Sequence, residues 1–170
     1  MITPARSGRY LSAPSPISQT SNGSLALNSL RYMPVYFDRA STVTELGIYI
    51  PTGVGSSTVR LGLYADNDGQ PTGSPLVDAG TIDSSTTGYK SITGLSVSVN
   101  PGRYWIAAVS QGVAATVVGV LGVATGIAAN AGYSGSDITS CVDSATVSGA
   151  LPSANPNSYG RGALVNLKVA

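Results

Sequence analysis

From Leu30 onward, apolar residues recur at every second position, a period that fits a strand and not a helix. Leu46, Ile48 and Ile50 share one face, opposite Glu45, Gly47 and Tyr49. After a turn over 51–57, Val59, Leu61 and Leu63 again share a face, opposite Arg60, Gly62 and Tyr64. The run Asp66-Asn67-Asp68-Gly69-Gln70-Pro71-Thr72-Gly73 is dense in turn chemistry: Asp-Gly supplies positive φ, and proline fixes the next corner. Further strands are expected over 76–82, 89–92, 95–99, 103–110, 115–123 and 163–169, and Asn100-Pro101-Gly102 is a type II turn signature. No segment carries a sustained apolar stripe at helical spacing. Short strands punctuated every 8 to 12 residues or so predict an all-β fold, an antiparallel β-sandwich of jelly-roll-like form.

Two zones depart from that rhythm. In residues 1–28, Pro4, Pro14 and Pro16 lie among Ser, Gly and Thr, while Tyr10, Leu11, Ile17, Leu25 and Leu27 follow no period. Proline removes backbone donors and favours extended geometry, so this zone is expected to be an extended N-terminal assembly arm. Its five apolar side chains are the pegs that would fit grooves on a partner. Residues 29–170 then form a single sandwich domain, a length sufficient for one core without crosslinks. Within it, Asn130, Gly132, Gly135, Pro152, Pro156 and Asn157 predict a long loop over 130–160, with at most a short strand near 138–142.

The chemistry available is narrow. Charged residues make up 10% of the chain against roughly 25% in an average domain. The net charge is +1 with no basic run, which argues against nucleic acid and against anionic membrane surfaces. The opening residues lack the basic-then-apolar layout of a signal peptide. The apolar stretch 113–129 has the length of a short spanning helix, yet its three glycines, two threonines and β-branched valines favour a strand, so no membrane insertion is expected. It reads as a buried strand, a glycine-kinked strand pair or an apolar contact between subunits.

There is no histidine, Glu45 is the only glutamate, and Cys141 is the only cysteine. Acid–base relays, nucleophile activation and most zinc or iron sites lose their usual residues, so neither an enzyme nor a cofactor is expected. Asp66 and Asp68 before Gly69 resemble the start of a calcium loop, but the same residues make an ordinary hairpin turn. Nine tyrosines and Trp105 offer stacking surfaces for sugar rings. Trp105 itself lies in a strand apolar on both faces, Tyr104/Ile106/Ala108 and Trp105/Ala107/Val109, which favours a core position.

The segment Val59-Arg60-Leu61-Gly62-Leu63-Tyr64-Ala65-Asp66-Asn67, through Gly69, Pro71 and Gly73 to Leu76-Val77-Asp78-Ala79-Gly80-Thr81-Ile82, looks like a known module. It resembles β-sandwich domains of minor tail and tail-fibre proteins of tailed bacteriophages, especially those infecting actinobacteria. Thr87-Gly88-Tyr89-Lys90-Ser91-Ile92, the strand Asn100-Pro101-Gly102-Arg103-Tyr104-Trp105-Ile106-Ala107-Ala108-Val109 and Ser110-Gln111-Gly112 extend the likeness, as does the opening Ile2-Thr3-Pro4 with Arg6-Ser7-Gly8-Arg9-Tyr10. The likeness is carried mainly by residues 42–112. Such domains form trimers or decorate particle surfaces and imply no cofactor and no fixed set of binding residues. The resemblance implies a tail-associated virion structural protein on the outside of the particle. Its partners would be a homotrimer of itself, other virion proteins and a host cell-surface glycan. Two alternatives stand beside it: a decoration protein on the phage head, and a stand-alone carbohydrate-binding module.

Overall fold

A computed structural model describes residues 7–13, 19–121 and 140–170. Twelve strands are defined among them: β1 (Tyr10–Ala13), β2 (Gln19–Ser24), β3 (Ser29–Phe37), β4 (Ser41–Ile50), β5 (Thr58–Asn67), β6 (Gln70–Asp83), β7 (Gly88–Val99), β8 (Gly102–Gln111), β9 (Thr116–Leu121), β10 (Ser140–Thr146), β11 (Pro156–Gly160) and β12 (Val165–Val169). They form a four-stranded sheet in the order β1-β12-β4-β7, a six-stranded sheet in the order β11-β10-β3-β8-β5-β6, and a two-stranded ribbon of β2 and β9. Every ladder is antiparallel. The fold is the antiparallel β-sandwich that the alternation predicts.

The inner faces of the two sheets meet in the main core. Leu46, Ile48 and Ile50 of β4 with Val165 and Leu167 of β12 oppose Met33, Val35 and Phe37 of β3, Val59, Leu61 and Leu63 of β5, and Ile106 and Ala108 of β8. Each of the larger of these side chains contributes about 1.5–3 kcal/mol on leaving water. A bulge in β4 between Val43 and Glu45 lets Val43 and Leu46 both point inward although they are three residues apart. Pro34 interrupts β3, but β10 pairs only with residues 29–32 of that strand. Proline therefore lies where the strand has one neighbour, the usual place for it in a sheet.

A second core covers the outer face of the six-stranded sheet. Leu30, Tyr32, Tyr64, Trp105, Ala107, Val109 and Cys141 are buried there beneath Val147 and Leu151. The covering segment, 147–155, is strapped down by polar contacts. Gln111 Nε2 donates to the carbonyls of Val147 (3.2 Å) and Gly149 (2.7 Å), and Tyr64 Oη donates to Pro152 O (2.7 Å). The Leu151 amide donates to Asp78 (2.9 Å) and the Ala154 amide to Gly73 O (2.9 Å). Gly62 permits the close approach: a Cβ there would meet Leu151 Cδ1 and, at 2.8 Å, the Val77 carbonyl.

Three expectations change. Of the loop expected over 130–160, residues 130–139 lie outside the described residues, while 140–160 contain β10 and β11, with the segment that closes the second core between them. In the apolar stretch 113–129, residues 116–121 form β9, and Ala115 and Val117 belong to the main core; 122–129 lie outside the described residues. Of the assembly arm expected over 1–28, residues 1–6 and 14–18 lie outside the described residues, and the described part is laid along its own sandwich. β1 pairs with β12, β2 pairs with β9, and Leu11 and Leu25 are buried in the main core. The polar run of β2 conceals this in the sequence, because its apolar partner is supplied by β9, almost a hundred residues later.

Candidate functional site: a tyrosine face over a buried glutamate

Alternation sends one set of side chains of the four-stranded sheet into the core and the other outward. The pairing aligns Tyr10 of β1, Lys168 of β12, Glu45 of β4 and Thr93 of β7 in one outward row. Asn166, Gly47 and Ser91 form the next outward row, and Tyr49 stands opposite Tyr89 beyond it. Tyr10, Tyr49 and Tyr89 are 48%, 46% and 43% exposed, whereas Glu45 is only 7% exposed.

The carboxylate is held by phenols. Tyr10 Oη donates to Glu45 Oε1 and Oε2 (3.2 and 3.1 Å), and Tyr89 Oη donates to Oε1 (3.4 Å). The Tyr10 and Tyr89 rings stand edge to face, with centroids 6.1 Å apart and planes at 87°. Lys168 Nζ sits 5.6 Å from the centroid of the Tyr10 ring, in cation–π range. No ion pair within 4.0 Å engages Glu45 among the described residues. Loss of water, then the hydrogen bond to Glu45 and its charge, raise the Tyr10 hydroxyl above the usual phenol pKa. Loss of water, then the charges of Glu45 and Tyr10, do the same for Tyr89. Both hydroxyls therefore stay protonated, as donors to Glu45, across the physiological range.

Gly47 makes room for this arrangement. The Tyr89 side chain crosses over it, and a Cβ at that position would come within 2.5 Å of Tyr89 Cζ. Beside the two rings lies an open depression of about 420 Å³, lined by Tyr10, Tyr89 and Asn166. It offers two aromatic walls, phenol oxygens oriented from below, and an amide: surfaces for stacking and for hydrogen bonding.

The other candidates fall elsewhere. Asn67 pairs with Gln70, so Asp68-Gly69 is a two-residue hairpin loop, with φ of 50° and 82°. Asp66 Oδ1 accepts from Trp105 Nε1 (2.7 Å) and Oδ2 from the Gly69 amide (3.3 Å), while Asp68 is exposed at the turn. The pair reads as turn and indole acceptor; no group of three or more metal-ligating side chains exists among the described residues. Trp105 is fully buried in the second core. Of the five arm residues, Tyr10 joins the tyrosine face, Leu11 and Leu25 are core, Leu27 is exposed, and Ile17 lies outside the described residues.

Sequence reasoning did not assemble Glu45, Tyr49, Tyr89, Asn166 and Lys168. The outward set Glu45, Gly47 and Tyr49 was visible from the alternation of β4; the neighbours that complete it depend on the order β1-β12-β4-β7, which joins both ends of the chain. No family model matches this chain, and a search of curated proteins returns no match either.

Proposed function

We propose that this chain is a non-enzymatic structural protein of a tailed-bacteriophage particle, tail-associated and displayed on the outside, where it contributes to attachment at the host surface. The likeness to minor tail and tail-fibre domains over 42–112 supports the phage assignment and, with it, a homotrimer held among other virion proteins. The lack of histidine and the single glutamate support a role without catalysis. The observation that carries attachment is the outer face of the four-stranded sheet, where Tyr10 and Tyr89 stay about half exposed over a buried carboxylate and the equally exposed Tyr49 stands opposite Tyr89. Aromatic residues of this kind are enriched at recognition surfaces because a rigid ring gives large contact area at small entropic cost.

The same face suits a stand-alone carbohydrate-binding module, and a decoration protein on the head would display an outer face equally well. Gold-labelled antibody against the chain, viewed by electron microscopy on the particles that carry it, separates the three. Label at the tail is the expected result. Label over the head would replace the tail assignment with decoration, and particles without label would overturn the virion reading.

A further inference from the structure

We propose that the depression beside Tyr10 and Tyr89 is a subsite for one neutral hexopyranose unit of a surface polysaccharide. This rests on the reading of the tyrosine face as the attachment surface and names what that surface takes.

Size and lining come first. About 420 Å³ falls within the roughly 300–1,000 Å³ of small-molecule sites, and its walls are mainly aromatic with few polar groups. A pyranose presents C–H groups on its faces and hydroxyls around its rim. Two rings at 87° give it one surface to stack on and one to lean against.

The polar geometry matches the rim. Because Glu45 accepts from both phenols and the two hydroxyls also interact with each other, they are oriented inward, and a phenol lone pair left over from these contacts can accept from a sugar hydroxyl. Glu45 is thus a positioning residue beneath the subsite. Asn166 lines the same depression and adds a polar edge to it.

Charge selects the class of ligand. Glu45 and Lys168 are cross-strand neighbours, so the row carries one charge of each sign. A cationic ligand would meet Lys168, which already lies over the Tyr10 ring, and an anionic ligand would meet Glu45. A neutral polyol meets neither penalty.

The test uses the full chain and simple probes: the methyl glycosides of glucose, galactose, mannose and rhamnose, and of N-acetylglucosamine, followed by saturation-transfer NMR. At least one glycoside should bind, with a Kd on the order of 1 mM. Tyr89→Ala should weaken that binding about tenfold or more, and so should Gly47→Ala, which displaces the Tyr89 ring without touching the ligand. Tyr36→Ala, an exposed tyrosine on β3 of the other sheet, should bind as the parent does. Should Gly47→Ala fold poorly, the exposed Tyr89 substitution carries the test. Absence of binding by every glycoside, parent-like binding by Tyr89→Ala, or saturation by tetramethylammonium or acetate in place of sugars overturns the proposal. The two readings fail separately. Tail label on particles with no glycoside binding sinks the subsite alone, while glycoside binding through Tyr89 by a chain absent from particles sinks the virion assignment and leaves the subsite standing.

Discussion

Replacing Asp143 by Ala should loosen the strap over the second core, with an effect that can be worked from the contacts it removes. Asp143, on β10, is buried and accepts from Tyr32 Oη (2.6 Å), from the Asn155 amide (2.7 Å) and from the Ala145 amide (2.8 Å). Tyr32 is wholly buried, so when the carboxylate goes its hydroxyl has no water to turn to and keeps only the Tyr64 hydroxyl as a weaker acceptor; loss of a charged acceptor from a buried donor costs about 1–3 kcal/mol. The two amides lie nearer solvent and add about 1 kcal/mol between them. A total near 3 kcal/mol is a large part of a stability of roughly 5–15 kcal/mol, yet leaves the domain folded. With an m value of about 2–3 kcal/mol/M in urea, the midpoint falls by roughly 1–1.5 M. Trp105 is the only tryptophan and lies under the strap, so its fluorescence reports this region without labelling. Tyr32→Phe alone should cost only about 1 kcal/mol, since Asp143 keeps both amides. The double variant should be less destabilised than the sum of the two by about 1–2 kcal/mol, because the buried hydroxyl that loses its charged acceptor is gone. A strictly additive cycle, or a midpoint for Asp143→Ala within 0.3 M or so of the parent, refutes the network as the strap's anchor.

Asp78 ties the strap to the sheet edge from the other side. Burial raises its pKa, but hydrogen bonds from Arg60 Nε and from the Leu151 and Gly80 amides outweigh this and leave it below the ordinary 3.8. A depressed folded pKa means stabilisation that is complete above the unfolded value and disappears as pH falls through the folded one. Asp78→Asn should therefore melt below the parent at pH 7, and the gap should close in acid; a gap independent of pH counts against the pairing. Burial, with a smaller contribution from Asp66, pushes the Cys141 thiol up to about 12. A thiol reagent at pH 8 should leave the native protein unlabelled and modify Cys141 only after denaturation, and rapid native labelling would place Cys141 outside the core. Deleting residues 1–13 should lower stability by about 2–4 kcal/mol, through loss of the Leu11 contacts and of the β1–β12 ladder, and should abolish glycoside binding with Tyr10; an unchanged melting temperature would show β1 to be dispensable.

The core was legible where one face is buried and the other is wet. Leu46, Ile48, Ile50, Val59, Leu61 and Leu63 declare both strand and facing, and the Asp68-Gly69 turn declares its hairpin. Trp105 was placed correctly as core because both faces of its strand are apolar. Legibility failed where a strand's stabilising partner is remote. β2 reads Gln-Thr-Ser-Asn-Gly-Ser and carries no pattern of its own, since β9 provides the apolar side. Val147 and Leu151 stand alone among Ser, Gly, Ala and Pro, so nothing local announces that they cap Tyr32, Tyr64 and Trp105. The candidate site suffers from the same blindness: Tyr10 and Lys168 become neighbours only because the first and last described strands pair at the sheet edge.

The two outer faces of the sandwich pose the same physical problem and answer it differently. On the six-stranded sheet, Tyr32, Tyr64 and Trp105 are fully buried because 147–155 is laid over them, and their polar atoms are given partners in Asp143, Pro152 and Asp66. On the four-stranded sheet, Tyr10, Tyr49 and Tyr89 remain half exposed, though covering them would add burial of the same kind. Scattered exposed tyrosines call for no explanation. These three are not scattered: Tyr49 stands opposite Tyr89, Tyr89 and Tyr10 both bind the chain's only glutamate, and a glycine in the row between leaves room for the Tyr89 ring. Stability alone gives no reason to bury Glu45, which has no ion pair among the described residues, beneath hydroxyls that water could satisfy. A fixed orientation of those hydroxyls does give one, because hydroxyl rotors left free would have to be ordered anew whenever a ligand arrived, and holding them in advance removes that cost from binding.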